Sequence, residues 1–374
     1  MPPQPPSAPS SERLAVLRGS RPPQEYTARK ITALTANPAC ARRAVLDAAG
    51  VDKALLAQHL GHEPRFGRSP FAIRRELSFE ALVTWGGYAE LIRLLREELD
   101  APVEEAAVAD LREVGGDTSL AVRAGETRRL LGRLAAGADE RLILDHPVLT
   151  LDVAGQTAHV IPQALSHRVG GQFHVVEIRS FPAIDGQADP KAVAETTKQA
   201  AVSVLALRGA FTALGIDPAA IAHSFLLVCP KDFSNRPYGR LIDLRQELQA
   251  LQFQLSRLPR AGDLALALSP DATLDAERPP AEVDATMREL DASYAPDCLS
   301  FCEMARYCRD EAVTCASPAR LGGAVRSGLP GIDSTRTALR YLDGTLAPGA
   351  TEEAVITRLR AAERLRRLRG GRTA

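Results

Sequence analysis

Pro162-Gln163-Ala164-Leu165-Ser166, then Phe173-His174-Val175-Val176-Glu177-Ile178-Arg179, then Lys198-Gln199-Ala200-Ala201-Val202-Ser203-Val204-Leu205-Ala206-Leu207: these three stretches decide the fold. Between the first two lies Val169-Gly170-Gly171-Gln172, a hairpin signal, because paired glycines supply the positive φ that tight turns need. Successive strand residues point to opposite faces. Glu177 and Arg179 therefore share one face, while Val176 and Ile178 enter the core. Residues 148–153 and 157–166 alternate in the same way around a turn at Gly155-Gln156. The region reads as an antiparallel meander. A helix is expected over 191–214, and the apolar run 224–229 has the length of an interior strand.

Working outward, residues 27–100 have mostly helical spacing. One helix is expected over 41–48, after Asn37-Pro38, and a longer one over 78–100. The longer one carries Phe79, Leu82, Val83, Leu91, Leu94 and Leu95 on its inner side, with Trp85 as a core residue. Gly115-Gly116 interrupts 101–140, where 127–135 suits a short helix. Beyond the meander, 241–258 reads as helix, 259–297 as loop with a short helix near 283–290, and 352–369 as a basic helix. Helices, meander, helix and strand in this order predict an α/β (α+β) fold with a mixed sheet. The expected domains are a disordered, Pro- and Ser-rich stretch 1–24, a helical lobe 25–140, a core 141–258, a linker with a cysteine cluster 259–315, and a tail 316–374.

Composition narrows the function classes. Apolar residues make up 45% and charged residues 25% of the 374, which excludes a disordered or fibrous chain. Forty-six basic and 46 acidic residues cancel, so net charge alone does not name a polyanionic partner. No apolar run approaches the ~20 residues of a spanning helix, and the N-terminus has no apolar signal region. The expectation is a cytoplasmic protein without a membrane partner. In a reducing compartment, clustered cysteines point to metal rather than to disulfides.

The strand–turn–strand layout resembles the PD-(D/E)XK nuclease motif, and the Lys198-Gln199 helix resembles the Gln-containing helix of its RecB-like branch. The resemblance implies a restriction-endonuclease-like core and Mg²⁺- or Mn²⁺-dependent phosphodiester hydrolysis. In that scheme Glu177 is the central metal ligand, Glu80 on the long N-terminal helix a second, Gln199 a positioner and Arg179 an electrostatic group. Glu195, one helical turn before Gln199, is a substitute carboxylate. The sequence departs from the pattern in three places. Gln163 stands in the Asp slot, Arg179 in the Lys slot, and Ser203 where the branch has Tyr. An amide is a weak ligand for a hard cation, and a guanidinium does not deprotonate to serve as a base. The same residues also read as an ordinary solvated Glu–Arg strand face.

Cys298, Cys302 and Cys308 lie within eleven residues, and Cys40 stands alone far upstream, before Arg42-Arg43. One early and three late cysteines resemble the iron–sulfur subset of RecB-like nucleases, the CRISPR-adaptation exonucleases and AddB-type helicase–nuclease subunits. That resemblance implies a [4Fe–4S] cluster on Cys40, Cys298, Cys302 and Cys308, forming a C-terminal clasp. Zinc is the alternative for four thiolates. Three residues separate Cys298 from Cys302, where the family has two. Cys315 is a spare that either replaces Cys298 or stays free, and Cys229 is a buried core residue of its strand. The implied partners are DNA and a helicase or defence-system component. The implied function is a DNA-processing nuclease with weakened hydrolysis. The alternative is a catalytically silent subunit that keeps the fold to bind DNA or a helicase. Three further features have two readings each. His167 and Arg168 before the turn suit a phosphate contact or a solvated hairpin. The loop 231–236 suits a nucleic-acid channel or a structured turn. Arg364, Arg366, Arg367, Arg369 and Arg372 suit a DNA-backbone contact or a solubilising helix face.

Overall fold

The computed structural model describes residues 8–64, 70–100, 106–137, 142–166, 168–295 and 298–370. In chain order its helices are α1 (Ala8–Arg18), α2 (Ala28–Thr35), α3 (Ala41–Ala48), α4 (Lys53–His59), α5 (Pro70–Leu99), α6 (Leu120–Ala135), α7 (Pro190–Ala213), α8 (Arg245–Ser256), α9 (Ala261–Leu266), α10 (Pro280–Glu289), α11 (Cys298–Phe301), α12 (Ala305–Thr314), α13 (Gly323–Gly328), α14 (Thr335–Asp343) and α15 (Glu353–Gly370). The strands are β1 (Ala107–Asp110), β2 (Leu142–Asp145), β3 (Leu149–Val153), β4 (Gln156–Val160), β5 (Ala164–Leu165), β6 (Phe173–Ile178), β7 (Ala183–Ile184), β8 (Gln187–Ala188), β9 (Ile221–Pro230) and β10 (Pro237–Asp243).

The chain forms two compact units, and they interleave along the sequence. The first holds 1–11, 24–38 and 68–263, and the second 12–23, 39–67 and 264–374. The helical lobe expected over 25–140 is therefore divided, with 39–67 belonging to the second unit.

In the first unit a mixed six-stranded sheet has the order β1-β2-β5-β6-β9-β10. β2, β5 and β6 pair antiparallel in succession, and β6 pairs parallel with β9. A parallel pair needs a long crossover, and α7 supplies it. The fold is α+β with a mixed sheet, as the pattern predicts. One face is sealed by α5, whose Phe79, Val83 and Leu91 cluster with Ile143, Val176, Ile178, Leu226 and Val228. Gly239 of β10 permits the close approach of α5, since a Cβ there would stand 3.3 Å from Leu94 and Leu226 side-chain carbons.

Several expectations change. β3 and β4 form a separate two-stranded sheet, leaving only β5 from the second half of that alternation in the main sheet. β1 and β10 escape sequence reading because both are edge strands, and β10 carries Pro237 and Gly239. Pairing of 237–243 with β9 delays the following helix to Arg245. α5 starts at Pro70 and breaks at Trp85, whose ψ of 150° is followed by left-handed Gly86, Gly87 and Tyr88. Trp85 is consequently 82% exposed rather than part of the core.

In the second unit Leu14 and Leu17 of α1 are buried among Val45, Leu56, Val283 and Met287. The stretch 1–24 is thus not uniformly disordered. Its Leu14/Leu17 pair at i, i+3 gives a helix one apolar edge to bury, and residues 1–7 lie outside the described set. The 259–297 segment likewise carries α9 and α10, with Val283 and Met287 fully buried. α13 to α15 share a small core of Leu329, Ile332, Ala338, Val355 and Ile356. Among the described residues no helix is long and apolar enough to cross a membrane.

Because Leu17 is fully buried and Val16 is 63% exposed, Leu17→Ala is expected to cost about 2–4 kcal/mol in urea denaturation. Val16→Ala should stay within about 0.5 kcal/mol of wild type. Equal, negligible effects would show that α1 is not part of the folded unit.

Candidate active site

Glu177 sits in a strand whose two neighbours cover both of its edges, and every residue of β6 is buried. Val176 and Ile178 enter the α5-side core. The opposite face, carrying Glu177, lies under α7. That helix starts cleanly: Asp189 caps it by accepting from the Ala192 N–H at 2.8 Å, and Pro190 takes the first turn. From there Ala192, Glu195, Thr196, Gln199 and Ser203 recur at three- and four-residue spacing. All five line one cavity of about 490 Å³ with Glu76, Gln163, Glu177 and Arg179. Lys198, about 100° round the helix, lines a separate depression with Thr32, Thr35 and Gln254.

Glu177 is only 3% exposed, so the reading as a solvated strand face does not hold. Its charge is met by Arg179, whose Nη2 donates to Glu177 Oε2 at 2.7 Å and to Gln199 Oε1 at 3.2 Å. The other guanidinium nitrogen, Nη1, donates to the Ile178 carbonyl at 3.1 Å and stands 3.7 Å from Glu76 Oε1. Arg179 is held in turn by the sheet, its N–H bonding the Val228 carbonyl at 2.8 Å. Burial pushes the Glu177 carboxyl above its usual range, Arg179 opposes that shift, and Glu76 adds to it. Gln163 donates from Nε2 to the Ile178 carbonyl at 3.4 Å. Its amide is thus turned to the backbone beside the pair.

The site residues expected from sequence fall into two groups. Gln163, Glu177, Arg179, Gln199 and Glu195 share the cavity. Glu80 does not line it. The residue of α5 that does is Glu76, one turn earlier, and the i, i+4 spacing of two glutamates was a signal open to sequence reading. Glu80 Oε1 instead stands 3.4 Å from His146 Nε2, and His146 Nδ1 hydrogen-bonds Asp145 Oδ1 at 2.7 Å. Arg112 completes the group by pairing with Asp145. Burial raises the Glu80 carboxyl against the charges of His146 and Arg112. Asp145 is buried too, but the His146 hydrogen bond and the Arg112 charge keep it below the usual carboxylate range. His146 reaches this position through a left-handed backbone, φ 51°, at the end of β2. No sequence signal separates it from its hairpin neighbours. His167 lies outside the described residues.

The four cysteines of the expected clasp all belong to the second unit. Cys40, Cys298 and Cys308 are buried and Cys302 is partly so; Cys229 is buried in β9 and Cys315 exposed. Cys308 lies near enough to Cys302 and Cys40 that ionisation of either would disfavour its own. Arg42, 2% exposed, donates from Nη1 to Cys308 Sγ at 3.2 Å and to Glu311 Oε2 at 2.7 Å. Arg43 donates to the Phe301 carbonyl at 3.1 Å and pairs with Asp47. Burial pushes the Cys302 thiol up to about 11 and the Cys308 thiol up to about 12, against the pull of Arg43 and Arg42. Three buried sulfurs and one partly buried, with two guanidiniums nearby that are also paired to Glu311 and Asp47, are the donor type a thiolate centre uses. Among the described residues, no three His, Cys, Asp or Glu side chains are placed to hold a metal ion.

Compared with family models, curated proteins and solved structures, the chain matches none.

Removing the guanidinium leaves a buried carboxylate unpaired, so Arg179→Met is expected to cost about 3–5 kcal/mol at pH 8. The Glu177 carboxyl titrates higher folded than unfolded. Stability from its protonation is therefore full below the unfolded value of about 4.3 and is lost as pH rises through the folded value. Urea denaturation should thus show a smaller Arg179→Met deficit at pH 5 than at pH 8. A deficit independent of pH would mean that Glu177 is not what Arg179 neutralises.

Proposed function

We propose that the chain is a catalytically silent relative of the RecB-like PD-(D/E)XK nucleases, keeping the fold to bind DNA within a helicase- or defence-type assembly. The observation that carries this reading is Arg179. Its guanidinium donates to Glu177 and Gln199 and stands 3.7 Å from Glu76. Glu177 and Gln199 are the groups that the resemblance assigns to metal binding and positioning. A fixed internal cation satisfies these acceptors and removes their reason to hold Mg²⁺ or Mn²⁺. Gln163 gives no compensating carboxylate. The strand order supports the fold side of the reading, since antiparallel β2-β5-β6, the crossover helix α7 and parallel β9 follow one another, although β3 and β4 of the expected meander pair apart from this sheet.

DNA binding is supported by charge distribution. Residues 316–374 hold eleven Arg and five acidic residues. Because the whole chain is neutral, the rest must carry the opposite excess. Such segregation suits a polyanion. Arg336, Arg340 and Arg364 are exposed in this tail.

A second reading, residual hydrolysis, is favoured by the two further carboxylates of the cavity, Glu76 and Glu195. Cleavage assays with Mg²⁺ or Mn²⁺ on single- and double-stranded DNA separate the two. Wild type is expected to be inactive, and Gln163→Asp with Arg179→Lys to gain measurable cleavage. Robust wild-type cleavage abolished by Glu177→Ala or Glu195→Ala would establish the enzyme instead.

For the second unit the reading includes a [4Fe–4S] cluster on Cys40, Cys298, Cys302 and Cys308. Anaerobically purified protein should be brown and lose its visible absorption in Cys40→Ser, whereas Cys315→Ser should leave it. Colourless protein with stoichiometric zinc would replace the cluster by a zinc centre.

A further inference from the structure

We propose that the outward stripe of α5, together with the loop 230–235, is a stacking platform for single-stranded nucleic acid. The proposal rests on the nucleic-acid-binding reading above and adds the strand form and the surface. Phe71, Arg75, Ser78, Leu82 and Trp85 recur at alternating four- and three-residue spacing, which aligns them along one face of the first part of α5. That face turns away from the buried Val83, with Phe79 on its inner flank at the groove. Phe71 is 70%, Trp85 82% and Phe233 91% exposed. A groove of about 270 Å³ separates the middle of the stripe from the 180–182 and 230–235 segments, with Leu82, Arg75 and Phe233 on its walls and Ser234 and Asn235 at one side.

The backbone is built to leave the tryptophan outside. The helix breaks at Trp85, and Gly86, Gly87 and Tyr88 follow with φ of 66°, 72° and 67°. Glycine takes this conformation freely, but for a residue such as Tyr88 it costs strain. The break turns Tyr88 into the core, 5% exposed, and ends the helix with Trp85 in solvent.

Charge decides the occupant. Arg74, Arg75, Lys231 and Arg236 are all exposed along these segments. Of the acidic residues between 71 and 85, Glu76 faces the 490 Å³ cavity and Glu80 meets His146. On the loop, the Asp232 carboxylate accepts the Asp185 N–H at 3.0 Å. The outward surface therefore carries more cations than carboxylates, Asp232 and Asp185 included, with aromatic rings between the charges. An apolar protein face would strip water from those cations without replacing it. A single strand neutralises them with phosphates and lays its bases on the rings, whereas a duplex keeps its bases stacked on one another.

The chain has a single Trp, so its emission reports on this platform directly. Oligo(dT) of twenty residues, titrated into the full chain, is expected to quench that emission along its binding isotherm. By fluorescence anisotropy, Trp85→Ala with Phe233→Ala should weaken oligo(dT) at least tenfold and move a 20-base-pair duplex less than twofold. Both side chains are exposed, and an unchanged unfolding midpoint confirms the fold of the variant. Oligo(dT) binding with unchanged emission, or with wild-type affinity in the double variant, overturns the platform and leaves the DNA-binding reading standing. Absence of binding to either nucleic acid overturns both. A concentration-dependent blue shift of the protein alone, not competed by oligo(dT), would assign the face to a second copy of the chain and also overturn it.

Discussion

A carboxylate fully enclosed in the middle of a mixed sheet must be met by a cation, and in this protein the cation is a neighbouring side chain. Glu177 lies between two covering layers, α5 beyond the sheet and α7 directly above it, and only 3% of it stays exposed where it lines the cavity. The cost of burying an isolated charge is several kcal/mol. The β-strand period places Arg179 on the same face two residues on, where the guanidinium fork reaches Glu177 and Gln199 together. Three elements of the first unit hold that arrangement: the parallel β6–β9 pair that anchors the Arg179 backbone, the crossover helix that presents Gln199, and α5, which brings Glu76 to the other side of the guanidinium.

The second unit repeats the theme with different chemistry. Arg42 and Arg43 are drawn inside it beside thiols, Arg42 against Cys308 and Glu311, Arg43 against Asp47 and the Phe301 carbonyl. As thiols these sulfurs are forced toward neutrality by burial. As ligands they would be anions, and the guanidiniums would then be their counter-charges. Metal binding at such thiols would require their deprotonation, which would couple the two.

The core of the fold was legible because its signals are local. A Gly-Gly turn, two-residue alternation around Glu177 and Arg179, and a helix beginning at Pro190 each follow from backbone sterics and burial. The shared cavity of Gln163, Glu177, Glu195 and Gln199 followed from those periodicities. What escaped depends on contacts distant in sequence. β10 reads as loop running into helix at Leu241 until β9 offers its edge. The N-terminal α1 reads as disordered until Leu14 and Leu17 find a core built from residues 45–57 and from residues beyond 264. His146 is one histidine among several until β2 ends in a left-handed turn and points it at Glu80. Trp85 was misjudged because hydrophobic spacing says which face a residue shares but not where the helix ends, and the Gly86-Gly87 pair ended it.

The account turns on whether Arg179 has taken the place of a divalent cation. Isothermal titration of Mn²⁺ into wild-type protein and into Arg179→Ala, Gln163→Asp, both first shown to be folded, tests this directly. No saturable site is expected in wild type at millimolar Mn²⁺, and one site in the variant, lost again with Glu177→Gln. A stoichiometric wild-type site that disappears in Glu177→Gln would contradict it.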